Sequence, residues 1–298
     1  MKLVIVGSVA LDAVKTAYGE VDCVLGGSAV YASIASINFC ETGIVGVVGK
    51  DFPSEHIELL KEDGICLEGL QKKAGKTFFW RGVYNDLNNA ETLDTQLNVF
   101  ADFNPIIPEN YQNCDFLFLG NIDPVLQMQV LDQVKNPVLT AIDTMNFWIT
   151  GKRTELLKVI KRIDVLFINE EEIRMLTEEK NILKAAQIAL EMGPKLIVIK
   201  RGEYGALAYS KDFFFFSPVY PVLDVVDPTG AGDSFAGGFM GYLAASGKVD
   251  YPEIKKAMMY GTVTASLTVE DFGLNKLKNA DRKFIEARLQ KLRKYVEF

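Results

Sequence analysis

Val225-Val226-Asp227-Pro228-Thr229-Gly230-Ala231-Gly232-Asp233-Ser234-Phe235-Ala236-Gly237-Gly238 passes from an apolar extended run, through a glycine turn, into a helical pattern. Gly230 and Gly232 let the backbone come close to a ligand, and the first amides of the helix that follows have no intrahelical acceptor. Such a turn suits phosphate oxygens. A carboxylate at Asp233 is placed to take the proton of an attacking hydroxyl, while the amides of Gly230, Ala231 and Gly232 offset charge on a transferring phosphoryl group. The structural alternative gives Asp233 to helix capping and the glycines to a tight connection.

Upstream of this turn, short apolar runs at 2–6, 43–48, 116–119, 138–142, 165–168 and 196–199 read as strands buried on both faces. Apolar residues at helical spacing over 54–63, 154–161, 170–177 and 181–192 read as helices covering that sheet. The alternation predicts a doubly wound α/β fold with a mostly parallel central sheet. Two stretches, 13–25 and about 76–100, break the rhythm, and Thr77-Phe78-Phe79-Trp80-Arg81-Gly82-Val83-Tyr84 is aromatic and β-branched. They predict a small β lid at one end of the sheet. Beyond Ser234, helical patterns at 235–245, 251–269 and 281–295 complete what reads as a single domain over 1–298, without internal repeats.

With 49% hydrophobic residues the chain has ample material for a core. Its formal charge of -7 argues against a nucleic-acid or anionic-lipid partner. Cys23, Cys40, Cys66 and Cys114 form no C-x-x-C pair and His56 is the only histidine, so a Cys/His zinc site is not expected. The cysteines read as small buried hydrophobes in a reducing compartment. The apolar start at 3–6 is too short for a signal core or membrane span, which points to the cytoplasm.

The run from Val225 to Gly238 resembles, position by position, the C-terminal signature of the ribokinase-like carbohydrate kinase family, often called PfkB. The resemblance implies a three-layer α/β/α sandwich with a β lid, an ATP-dependent transfer to a primary alcohol of a small sugar or, alternatively, a nucleoside, and Mg²⁺ as cofactor. Asp233 is then the catalytic base and Gly230, Ala231 and Gly232 the anion hole. In some relatives the first aspartate of the motif holds a monovalent cation, which makes Asp227, with the Thr229 carbonyl, a candidate K⁺ site.

Other segments agree in family order. Gly7-Ser8-Val9-Ala10-Leu11-Asp12 places Asp12 where the family grips substrate hydroxyls, and Gly26-Gly27-Ser28-Ala29-Val30-Tyr31 resembles the glycine pair bordering the substrate pocket. Relatives commonly carry Asn where this chain has Tyr31, so sugar identity is not inherited. Asp143, in Asp143-Thr144-Met145-Asn146, is expected to point to the cleft. Asn169-Glu170-Glu171-Glu172 fits the N-x-x-E motif, with Asn169 and Glu172 near water bound to Mg²⁺; taken alone it also reads as an acidic helix start, and the family context favours the metal reading. Lys200-Arg201-Gly202-Glu203-Tyr204-Gly205 resembles the nucleotide turn, with Gly202 and Gly205 beside the phosphates and Lys200 adding charge. Phe79 and Trp80 are read as lid packing or as a stacking surface, and an exposed lid face implies a homodimer.

Two nucleotide-binding alternatives fail on spacing. A P-loop needs G-x-x-x-x-G-K-[ST], but Lys50 precedes Asp51 and Gly43 lies one position too far back; a dinucleotide fingerprint is absent after the first strand. A catalytically silent binding protein on the same fold is the non-enzyme alternative, opposed by the retained Asp233, Asn169 and Glu172.

Overall fold

The computed structural model describes residues 1–86 and 90–297, so the part of the expected lid at 87–89 lies outside the described residues. Nine strands form one large sheet: β1 (Leu3–Val6), β4 (Thr42–Val48), β5 (Cys66–Lys72), β8 (Phe116–Leu119), β9 (Leu139–Ile142), β10 (Val165–Asn169), β11 (Leu196–Lys200), β12 (Ala206–Ser210) and β13 (Phe213–Ser217). Their order is β13-β12-β11-β10-β9-β8-β1-β4-β5, parallel except at the β11/β12 and β12/β13 pairings. Four more, β2 (Ala10–Thr16), β3 (Gly19–Gly26), β6 (Phe78–Tyr84) and β7 (Ala90–Gln96), form a small mixed sheet in the order β3-β2-β6-β7.

Strand side chains alternate between two cores. Leu3, Ile5, Phe116, Phe118, Val165, Phe167 and Val198 enter one; Val4, Val6, Leu117, Leu119, Leu166, Ile168 and Ile199 enter the other. The first core is roofed by α1 (Ser28–Ile37), α2 (Ser54–Glu62), α8 (Ala231–Ser246), α9 (Tyr251–Thr268), α10 (Asn275–Lys278) and α11 (Arg282–Val296). The second is covered by α3 (Pro124–Leu131), α4 (Asn146–Gly151), α5 (Arg153–Ile160), α6 (Glu170–Thr177) and α7 (Ile182–Glu191). This is the three-layer arrangement that runs of apolar residues buried on both faces require.

Chain order reverses at β1, whose neighbours are β4 on one side and β8 on the other. In open α/β sheets such a switch point opens a crevice outside the carboxyl ends of the strands. The small sheet leaves β1 directly at that end.

Two expectations need correction. The small sheet begins at Ala10 rather than residue 13, which brings Asp12 into β2 itself. The cysteines are not uniformly buried: Cys114 is, Cys40 and Cys66 are half-buried, and Cys23 is exposed at a bulge with φ 53. The bulge in β3 turns its side chain away from any core. No helix among the described residues is long and apolar enough to cross a membrane.

Candidate active site

The glycine turn and Asp233 form the centre. Gly230 is the N-cap of α8 with φ 74, a left-handed conformation that glycine adopts without penalty. A Cβ there would lie 2.3 Å from the ring of Tyr31, so the turn is also pressed onto α1. No side chain caps α8, which removes the capping explanation for Asp233 in its first turn. The Ala231 amide donates to the Pro228 carbonyl at 3.2 Å, whereas no described carbonyl outside the helix takes the amides of Gly230 and Gly232. The anion hole expected from three amides is thus narrowed, because Ala231 closes the turn.

Two buried charge groups flank this turn. On one side Lys200, at the end of β11, pairs with Asp143, which follows β9, and its Nζ lies 3.1 Å from where a Cβ on Gly232 would stand. Asp143 also accepts from the Thr144 amide at 2.9 Å, so both of its oxygens are engaged. Burial works against the Lys200 ammonium, but Asp143 and Glu172 overcome it and hold its pKa raised. Burial and then Asp143 push Asp233 up to about 7, with Lys200 opposing. Glu172 is likewise pushed up to about 7, mainly by burial.

On the other side stands Asp12, 4% exposed and pushed up to about 7 by burial, then by Asp227 and Asp233. A Cβ on Gly26 would fall 1.9 Å from Asp12 Oδ2, so the glycine makes room for the carboxylate. Gly27 begins α1, and Ser28 faces inward: its hydroxyl accepts from the Ser8 amide at 3.1 Å while its own amide donates to Ser8 Oγ at 2.9 Å. Ser28 therefore pins the loop after β1 instead of presenting its hydroxyl to the cleft.

The N-x-x-E motif forms a reciprocal capping box. Asn169 Oδ1 accepts from the Glu172 amide and Glu172 Oε2 accepts from the Asn169 amide, each at 2.8 Å. Glu172 still reaches the field of Lys200 and Asp143, so capping and proximity to the charged cluster coexist. Asp227, fully buried, accepts from the Thr229 amide at 2.9 Å and the Gly273 amide at 3.0 Å. It ties the turn to the loop after α9, with burial raising its pKa.

A cavity of about 390 Å³ opens from Gly232 along Lys200, Gly202 and Gly205 to Tyr220, Leu223 and Ala265. Gly202 and Gly205, with φ 53 and 81, give the 202–205 turn the backbone freedom read from sequence. Tyr18, from the small sheet, also lines this cavity.

Sequence reading missed Tyr84. Its ring reaches from β6 to the glycine turn, where the Thr229 hydroxyl donates to Tyr84 Oη at 3.3 Å. In the parallel register Trp80 pairs with Asp12, so the two share a face of the small sheet, and Phe79 takes the opposite face. The Trp80 ring lies over Gly82 and its indole N–H donates to Thr92 at 3.2 Å, which is packing within the sheet. Gln127, also missed, donates to the carbonyls of Gly120 and Asp143 at 3.0 and 3.1 Å and joins the ends of β8 and β9.

The fold matches solved structures along their whole length. The nucleoside kinase of Methanocaldococcus jannaschii, an archaeal member of the ribokinase family, superimposes with a TM-score of 0.78 at 21% identity, covering 98% of this chain and 99% of that one. Arabidopsis thaliana ribokinase complexed with ribose and ATP gives 0.78 at 21% identity, over 97% and 98%. The architecture is therefore the ribokinase fold. In sequence, residues 1–280 match the pfkB family of carbohydrate kinases. A cytidine kinase of Thermococcus kodakarensis is 32% identical over 247 residues, 80% of this chain and 87% of the relative. The chain belongs to the pfkB family of carbohydrate kinases and is a kinase.

Proposed function

We propose that the chain transfers the terminal phosphoryl group of ATP to a primary alcohol of a nucleoside, with a small sugar as the second reading. The observation that carries this is Asp233, a half-buried carboxylate unused as a cap, between the Lys200 ammonium and amides that no carbonyl outside the helix takes among the described residues. With a pKa of about 7 it is matched to general-base work near neutral pH.

In this reading Asp12 accepts hydrogen bonds from acceptor hydroxyls at the edge made by Gly26 and Gly27, and Asp233 takes the proton of the attacking one. Lys200 and the amides of Gly230 and Gly232 offset the charge that develops on the phosphoryl oxygens. Asp143 aims Lys200. Gly202 and Gly205 border the cavity suited to the nucleotide, and Tyr84 brings the small sheet down as a lid that limits water access. Asn169 and Glu172 would hold Mg²⁺ through water. Among the described residues no group of three carboxylates is placed to ligate a metal directly, so the contact would run through water, and the cation would supply charge along the phosphates when bound. Asp227 retains a candidate role toward K⁺, though its visible task is to tie the turn.

Sequence reading put the small sugar first. Relatives move the nucleoside ahead: besides the cytidine kinase, a nucleoside kinase of Methanocaldococcus jannaschii is 26% identical over 77% of this chain and 74% of its own length.

The test is phosphoester formation with ATP and Mg²⁺ across nucleosides and small sugars, with K⁺ present or omitted. Asp233→Asn should lower kcat by about 10²–10⁴-fold on the best acceptor. Equal rates in the two proteins would remove Asp233 from the base role.

A further inference from the structure

Tyr31 is 1% exposed, and its ring supports Gly230. That packing needs only the ring. Its hydroxyl has no hydrogen-bond partner among the described residues, although neighbouring hydroxyls are satisfied: Ser8 and Ser28 bond one another, and Thr229 bonds Tyr84. A buried O–H left unpaired costs stability, and in a native structure it calls for an explanation.

The groups acting electrostatically on this hydroxyl are Asp12, Asp227, Tyr84 and Asp233. They come from β2, the glycine turn, β6 and α8, which converge where the small sheet meets the turn. Tyr31 is packed in the first core, with its hydroxyl within electrostatic reach of groups from these four elements. Three carboxylates there repel a phosphate or carboxylate. A phenol both donates and accepts, so an uncharged hydroxyl satisfies it in either direction.

We propose that the Tyr31 hydroxyl is a binding group for the acceptor, paired with an uncharged hydroxyl of that molecule beside Asp12, and that it selects polyhydroxy acceptors carrying no phosphate at that end. The proposal rests on the kinase reading above and sharpens its substrate class. The ring sets the turn; the hydroxyl reads the ligand.

Tyr31→Phe keeps the ring and deletes only the unpaired group. Three results are expected together. The melting midpoint of the ligand-free protein rises by about 2–4 °C, because an unmade hydrogen bond is removed. The acceptor KM rises roughly tenfold while that of ATP does not follow, the size of one lost hydrogen bond. The discrimination that the unaltered protein shows between the acceptor and the analogue lacking the contacted hydroxyl disappears in the variant.

A merely structural Tyr31 predicts a lower midpoint and altered KM for both substrates, which would overturn the proposal, as would an unchanged acceptor KM. Equal turnover of a phosphorylated acceptor and its unphosphorylated parent would overturn the selectivity. Should no alcohol be phosphorylated, the kinase reading of the substrate fails. The midpoint shift caused by adding each nucleoside or sugar without ATP then decides on Tyr31: no shift in the unaltered protein, or an equal shift in Tyr31→Phe, rejects it.

Discussion

Lys200 is the residue on which the electrostatics of the site turn. Its ammonium is the cation nearest the glycine turn, and it faces Asp143, Glu172 and Asp233 at once. Lys200 lowers the pKa of Asp233 while burial and Asp143 raise it. Because a general base acts only when deprotonated, kcat/KM should climb as pH rises through about 7, the Asp233 value. Lys200→Met removes the positive charge that favours the Asp233 carboxylate, so this acid limb should move to higher pH, with a fall in rate at neutral pH. A pH series of kcat/KM for both proteins checks this. A limb that stays in place would show that Lys200 and the base are not coupled. The effect differs from loss of packing, which scales the profile without displacing it.

At the level of elements, the contact that unites lid and turn is the one between β6 and the segment before α8. Tyr84 and Thr229 are 145 residues apart, and only the register of the small sheet brings them together. Tyr84→Phe should loosen closure: ATP hydrolysis in the absence of acceptor should rise relative to productive transfer, measured as the ratio of ADP to phosphoester, by a few-fold. An unchanged ratio would leave Tyr84 a packing residue. The same contact explains what sequence could and could not disclose. Asp233, Gly230, Gly202 and Gly205 were legible as candidates because the turns that hold them are local in sequence. The pairing of Lys200 with Asp143 spans 57 residues and follows from the adjacency of strand ends, which no local spacing records. Helix α1 was not predicted as a helix because it is buried almost all round and shows no amphipathic stripe. An acidic helix start after Asn169 was legible, but not that Asn169 and Glu172 close it as a reciprocal capping box while Glu172 also serves the charged cluster.

For the whole molecule, the candidate cleft is a store of unfavourable ionisation. Asp12 and Asp233 ionise near 3.8 in a solvated chain and Glu172 near 4.5, yet each stands at about 7 when folded. Between these values the folded protein holds protons that the unfolded chain has released. Stability from these groups is therefore greatest below about pH 4 and is lost as pH rises toward about 7. Glu170 and Glu253 run the other way, since their pKa values are lowered, for Glu170 by Arg201 and Arg174 against the opposing effect of burial and for Glu253 chiefly by Lys256. A simple melting curve against pH mixes both signs, so the cleft must be isolated by substitution. Asp233→Asn mimics the protonated acid at all pH values. It should leave the melting midpoint of the ligand-free protein nearly unaltered near pH 4 and raise it near pH 8, by about 2–4 °C for each kcal/mol of repulsion relieved. Scanning calorimetry of both proteins at matched ionic strength would measure this. If the two midpoints differ by the same amount at both pH values, ionisation of Asp233 carries no folding cost, and its elevated pKa must be abandoned together with the tuning of the base. If the gap opens as pH rises, the variant expected to be poor at transfer is also the more stable protein, because the charge proposed for the chemistry is one that the fold holds at a cost.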